Sequence, residues 1–89
     1  MKKMKKERIR EIIKNTPDLV EFYYGNRYGN VDVYYYPEEE KTKYLLFFEG
    51  KDILVDSLDE AMTTPFIDGK SFNEIAKELK FYYCCERLY

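Results

Sequence analysis

The 89-residue chain contains no histidine and no tryptophan. Without histidine it lacks the usual general base near neutral pH and the commonest metal ligand. A Ser–His–Asp or Cys–His catalytic site cannot be assembled from it. Apolar runs are short. The longest, Tyr44–Phe48 and Phe81–Cys85, hold five residues each, whereas a membrane-spanning helix needs about 20. The basic N-terminus leads into no apolar stretch, so no secretory signal is expected. The two cysteines, Cys84 and Cys85, are adjacent. A bond between neighbours closes a strained ring, and no other cysteine is present. Two reduced thiols in a cytoplasmic protein is the expectation. They also lack the C-x2-C spacing of a zinc site.

What is abundant is aromatic. Ten tyrosines and six phenylalanines make up 18% of the chain. Lys, Ile, Asn, Tyr and Phe, all with AT-rich codons, supply 37 of the 89 residues. That bias suits a low-GC bacterial or phage genome and accounts for part of the tyrosine excess. The net charge of −2 conceals a division. Residues 1–14 carry seven basic groups against two acidic, and residues 15–89 carry eight against fifteen. An acidic body repels nucleic-acid phosphates and favours basic partners.

The size predicts one domain spanning 1–89, with roughly 65% of its surface buried on folding. Residues 1–14 read as a basic amphipathic helix with Ile9, Ile12 and Ile13 on one face, stopped by Asn15-Thr16-Pro17. A β-meander follows over 19–56. Its strands are expected at 19–24, 31–36, 44–48 and 52–56, from alternating or continuous apolar positions. Residues 25–30, with two glycines and two asparagines, read as a turn or short loop. Glu49-Gly50 reads as a two-residue hairpin turn. Two capping boxes, Ser57-x-x-Glu60 and Ser71-x-x-Glu74, predict helices over 57–62 and 71–80. Residues 81–89 suit a last strand, and a helical continuation from Leu79 is the alternative. The fold class expected is therefore two-layer α+β. It comprises an antiparallel four- to five-stranded meander with an N-terminal helix and two helices of the C-terminal half on one face. The order differs from the βαββαβ of an RNA-recognition motif, and no RNP-like motif occurs.

Candidate motifs mostly dissolve into structure. Gly69-Lys70-Ser71 resembles the end of a phosphate loop, but Thr64 stands where the first glycine should be and Pro65 interrupts the loop. Turn plus helix cap is the simpler reading. The consecutive Glu38, Glu39 and Glu40 diverge, and no calcium-loop spacing exists. No metal, no cofactor and no enzymatic activity are expected.

The tyrosines carry the functional expectation. If Val20/Phe22/Tyr24 and Val31/Val33/Tyr35 face the helices, then Tyr23, Tyr34 and Tyr36 face outward. Leu19 would join them, with either Leu45/Phe47 or Tyr44/Leu46/Phe48. Such a face is a protein interface, a tolerated tyrosine-rich surface, or a stacking platform for single-stranded nucleic acid. Glu21 and Asp32 would share it and oppose the last. The reading is an acidic protein-binding module, inhibitor- or immunity-like or self-associating. Its anchors are Tyr23, Tyr34 and Tyr36, and its steering charges are Glu21 and Asp32. The partner is a protein, either basic or a second copy. The alternative is a nucleic-acid-associated protein that binds phosphates through Lys2, Lys3, Lys5, Lys6, Arg8 and Arg10 of the basic N-terminal helix. No membrane partner is expected, since the apolar stripe of the helix is narrow and carries no tryptophan.

Overall fold

The computed structural model describes residues 5–83 and the backbone of 86–87. Helix α1 (Lys5–Asn15) leads into strands β1 (Leu19–Tyr24), β2 (Arg27–Tyr36), β3 (Lys41–Phe48) and β4 (Lys51–Val55). Short helices α2 (Leu58–Thr63) and α3 (Phe72–Ile75) follow, then a 3-10 turn (Ala76–Glu78), β5 (Leu79–Tyr83) and the two-residue β6 (Glu86–Arg87). The strands form one antiparallel sheet in the order β4-β3-β2-β1-β5-β6. The fold is the expected α+β arrangement, a meander with the last long strand added beside β1. None of the described helices is long and apolar enough to cross a membrane.

One face of the sheet and the helices enclose the core. Strand pairing brings Val20, Phe22, Val31, Leu46, Phe48, Leu79 and Phe81 onto that face, against Ile9, Ile13, Met62, Ile67 and Phe72. Phe22 is the hub. It stacks on Phe48 with centroids 6.2 Å apart and meets Phe72 edge-on at 5.1 Å. Thr16 closes α1 as its sequence implied, donating its hydroxyl to the Ile12 carbonyl at 2.6 Å.

Three local expectations need correction. The loop read at 25–30 is only Gly25-Asn26. Gly25 alone takes positive φ, as the first position of a II′ hairpin turn allows, and Arg27–Asn30 extend β2. The helix read over 71–80 ends at Ile75. Leu79 and Phe81 are two residues apart, a spacing that points to one side of a strand and to nearly opposite sides of a helix. Both are fully buried on the core face beside Tyr24 and Phe22. Burial of that pair converts 79–83 to strand. Finally, Tyr35 lies on the helix-facing side but past the helices and is 63% exposed. The Cys84-Cys85 expectation falls outside the described residues.

Turn chemistry is otherwise as read. Glu49 and Gly50 both have positive φ, the I′ pattern. Ser71 accepts from the Glu74 N–H while Glu74 accepts from the Ser71 N–H, a complete capping box. At Ser57 only half of the expected box forms: Ser57 accepts from the Glu60 N–H, but the Glu60 carboxylate accepts from the Ser57 hydroxyl and not from its backbone N–H. Asp68-Gly69 turns the chain between Ile67 and Lys70, which exchange both backbone bonds. Residues 69–71 are therefore a turn and a helix cap.

Candidate functional site

Among the described residues, the helices cover one side of the sheet and nothing covers the other. Strand alternation decides which side chains stand there. Leu19, Glu21 and Tyr23 come from β1, and Tyr28, Asn30, Asp32, Tyr34 and Tyr36 from β2. Lys41, Lys43, Leu45 and Phe47 come from β3, Asp52 and Leu54 from β4, Lys80 and Tyr82 from β5. The five residues singled out from the sequence, Glu21, Tyr23, Asp32, Tyr34 and Tyr36, therefore share the open face. Of the two sets considered for β3, Leu45/Phe47 lie on it, and Tyr44, Leu46 and Phe48 are buried in the core.

The rings form a row across four strands. Tyr23 meets Tyr82 edge-on at 5.6 Å on one side and Tyr28 at 5.6 Å on the other. Tyr28 continues to Phe47 at 6.4 Å. Edge-to-face geometry sets the positive rim of one ring against the negative face of the next, so the row is held before any ligand arrives. Leu45 and Leu54, opposite each other, extend the apolar surface to β4.

Two carboxylates are embedded in this surface. Tyr28 donates its hydroxyl to Glu21 at 2.7 Å and accepts from the Asn30 amide at 3.1 Å. Tyr34 donates to Asp32 at 3.0 Å. Burial, then the bond to Glu21, pushes the Tyr28 hydroxyl above its ordinary pKa; the bond to Asp32 does the same for Tyr34. Among the described residues no lysine or arginine lies within ion-pair distance of Glu21 or Asp32. With the tyrosine protons already directed at them, Glu21 and Asp32 are acceptors on a face that also carries Lys80, across from Tyr23, and Lys43, across from Tyr34.

The margins differ. Lys43 sits over the Tyr36 ring at 4.7 Å and bridges to Glu39 at 3.2 Å. The bond to Glu39 raises the Lys43 pKa. Tyr36 is thus engaged by its own chain, whereas Tyr23 and Tyr34 are 37% and 42% exposed. Sequence reading missed Tyr28, because it fell in the supposed loop, and Tyr82, because 81–89 was ambiguous. The alternation Arg27-Tyr28-Gly29-Asn30-Val31 was the signal for the first.

The helix-facing side uses the same chemistry internally. Arg27 lies over Phe48 at 5.0 Å and bonds both Glu49 (3.0 Å from Nε) and Asp68 (2.7 Å from Nη2). Its hydrogen bonds hold both carboxyls below the usual carboxylate range. The cluster ties the β3–β4 turn to the link between α2 and α3.

The basic helix is partly committed. Arg10 pairs with Asp59 of α2 at 2.5 Å, Arg8 with Glu11 at 3.7 Å, and Lys5 donates to the Lys77 carbonyl at 3.5 Å. Lys2 and Lys3 lie outside the described residues. No grouping of three or more metal-ligating side chains occurs among the described residues. No known family, curated protein or solved structure matches the chain.

Proposed function

We propose that the protein is a non-enzymatic binding module whose open sheet face docks on a protein partner with basic groups. One observation carries the reading. A pre-ordered aromatic row runs beside Glu21 and Asp32, each held by a tyrosine hydroxyl and each without a cation among the described residues. Tyrosine supplies large contact area with little entropy loss, and unpaired carboxylates on such a face steer and orient basic groups of a partner. Tyr23 and Tyr34 are the anchors, with Tyr28 positioning Glu21. Tyr36 contributes at the margin beside Lys43. The site of action proposed is the cytoplasm, where Cys84 and Cys85 stay reduced. Phosphate binding through the N-terminal helix takes second place, because Arg8 and Arg10 already face carboxylates.

The test is affinity capture from a cell extract with three baits: the wild type, Tyr23→Ser/Tyr34→Ser, and Tyr35→Ser. Tyr35 is exposed but lies on the other side of the sheet. The reading predicts a basic protein retained by the wild type and by Tyr35→Ser and lost by the double variant. Equal capture by all three removes the reading, as does a captured species that is nucleic acid.

A further inference from the structure

Strand β4 ends the sheet on one side, and no described residue pairs with its outer edge. Glu49-Gly50 is a two-residue turn, so Phe48 and Lys51 form a hydrogen-bonded pair. By alternation Ile53 and Val55 also bond to β3. The N–H and C=O groups of Asp52 and Leu54 therefore point away from the sheet. The pairing with β3 is continuous, without a bulge. Ile53 and Leu54 are 40% and 48% exposed on opposite faces of the strand. Natural edges are usually blunted by charge, above all lysine, by proline, a bulge or a covering segment. Here Lys51 and Asp52 charge only the start of the strand; Ile53–Val55 carry no charge, proline or bulge, and no described segment pairs with that edge. The opposite side of the sheet is already extended by β6.

We propose that β4 is the interface with a second copy of this chain, joined antiparallel across a two-fold axis at Ile53. Charge selects that register. Centring on Asp52 sets Asp52 against the partner's Asp52, and centring on Leu54 sets Asp52 against the partner's Asp56. Directly opposed like charges on paired strands are destabilising. Centring on Ile53 sets Asp52 against the partner's Leu54, Ile53 against the partner's Ile53, and Lys51 against the partner's Val55. All four outward backbone groups of each copy then find partners, and the contact is isologous and closed. A net charge of only −2 gives little repulsion between copies. On the helix-facing side a cavity of about 270 Å³ lies beside Ile53, with Phe48, Pro65 and Phe66 as its apolar wall and Glu49, Lys51 and Asp68 as its charged one, so it leaves room for side chains of a second copy. The joined sheets place two aromatic faces side by side on one surface. The interface is one short strand, so the dimer is weak, with a dissociation constant on the order of 10 to 100 μM, as befits a small contact area.

The experiment measures solution mass and amide exchange of the full chain over a concentration series. The mass rises from 10.8 kDa toward twice that value. The Asp52 and Leu54 amides slow by about tenfold or more across the series, while those of Lys51, Ile53 and Val55 are protected throughout. Leu54→Pro removes an outward N–H without touching the β3 ladder and keeps the chain monomeric; Leu54→Lys does the same should the proline variant fail to fold. Tyr23→Ser/Tyr34→Ser leaves the dimer intact. A chain still monomeric at about 1 mM, well above that dissociation constant, overturns the proposal. So does an Asp52 amide indifferent to concentration, or a dimer lost with the tyrosines and kept by the Leu54 variants.

Discussion

The ring of Phe22 lies directly over the α-carbon of Gly29: a β-carbon on Gly29 would stand 2.2 Å from Phe22 Cζ. Gly29 sits within β2, opposite Phe22 in the pairing, and its value is the room it leaves. Phe22 cannot withdraw, since Phe48, Phe66, Phe72 and Phe81 surround it. Gly29→Ala therefore overpacks the core and costs about 1–3 kcal/mol. Urea unfolding measures this. Phe22→Leu in the same chain recovers part of the loss, a non-additivity expected only of residues in contact.

The Arg27 cluster predicts a stability profile in acid. Glu49 and Asp68 titrate below their ordinary range in the fold because Arg27 hydrogen-bonds both. Their contribution is present above the ordinary carboxylate pKa and is lost as pH falls through the lowered values. Arg27→Met flattens this limb, so its unfolding midpoint changes less than that of the wild type between neutral pH and about pH 3, below the unperturbed carboxylate pKa values. Parallel acid limbs would show that the cluster adds nothing.

Tyr28 and Tyr34 give the alkaline counterpart. Their hydroxyls ionise above the ordinary tyrosine value, Tyr28 through burial and the Glu21 bond, Tyr34 through the Asp32 bond. A raised folded pKa means stability fully present below the unfolded value and lost as pH climbs through the folded one. Ultraviolet titration of Asp32→Asn moves one late-ionising tyrosine back toward the ordinary value. No change in that variant contradicts the pairing.

Ser71 caps α3 with both bonds of the box, in a segment that is itself buried against the core. Ser71→Ala costs about 1 kcal/mol of stability, read as a lower urea midpoint with an unchanged slope.

Much of the fold was legible from residue patterns. Alternation placed β1 to within its observed ends, and serine caps located both short helices. The open face was legible too, since Tyr23, Tyr34, Glu21 and Asp32 follow from period two once the core side is known. What sequence could not carry was tertiary. Gly29 looks like a turn residue until Phe22 is set above it. Leu79 suits the helix that precedes it until β1 offers its edge. Tyr35 alternates with core residues but runs past the helices that would cover it. In each case a contact distant in sequence outweighs local propensity.

The central claim is that the open sheet face is where the partner sits, and chemical labelling of tyrosines tests it most directly. The captured complex and the free protein are labelled side by side, and each modified tyrosine is located by mass spectrometry. The account predicts that Tyr23 and Tyr34 react in the free protein and are shielded in the complex, while Tyr35 reacts equally in both. Shielding of Tyr35 with Tyr23 and Tyr34 still reactive would contradict it.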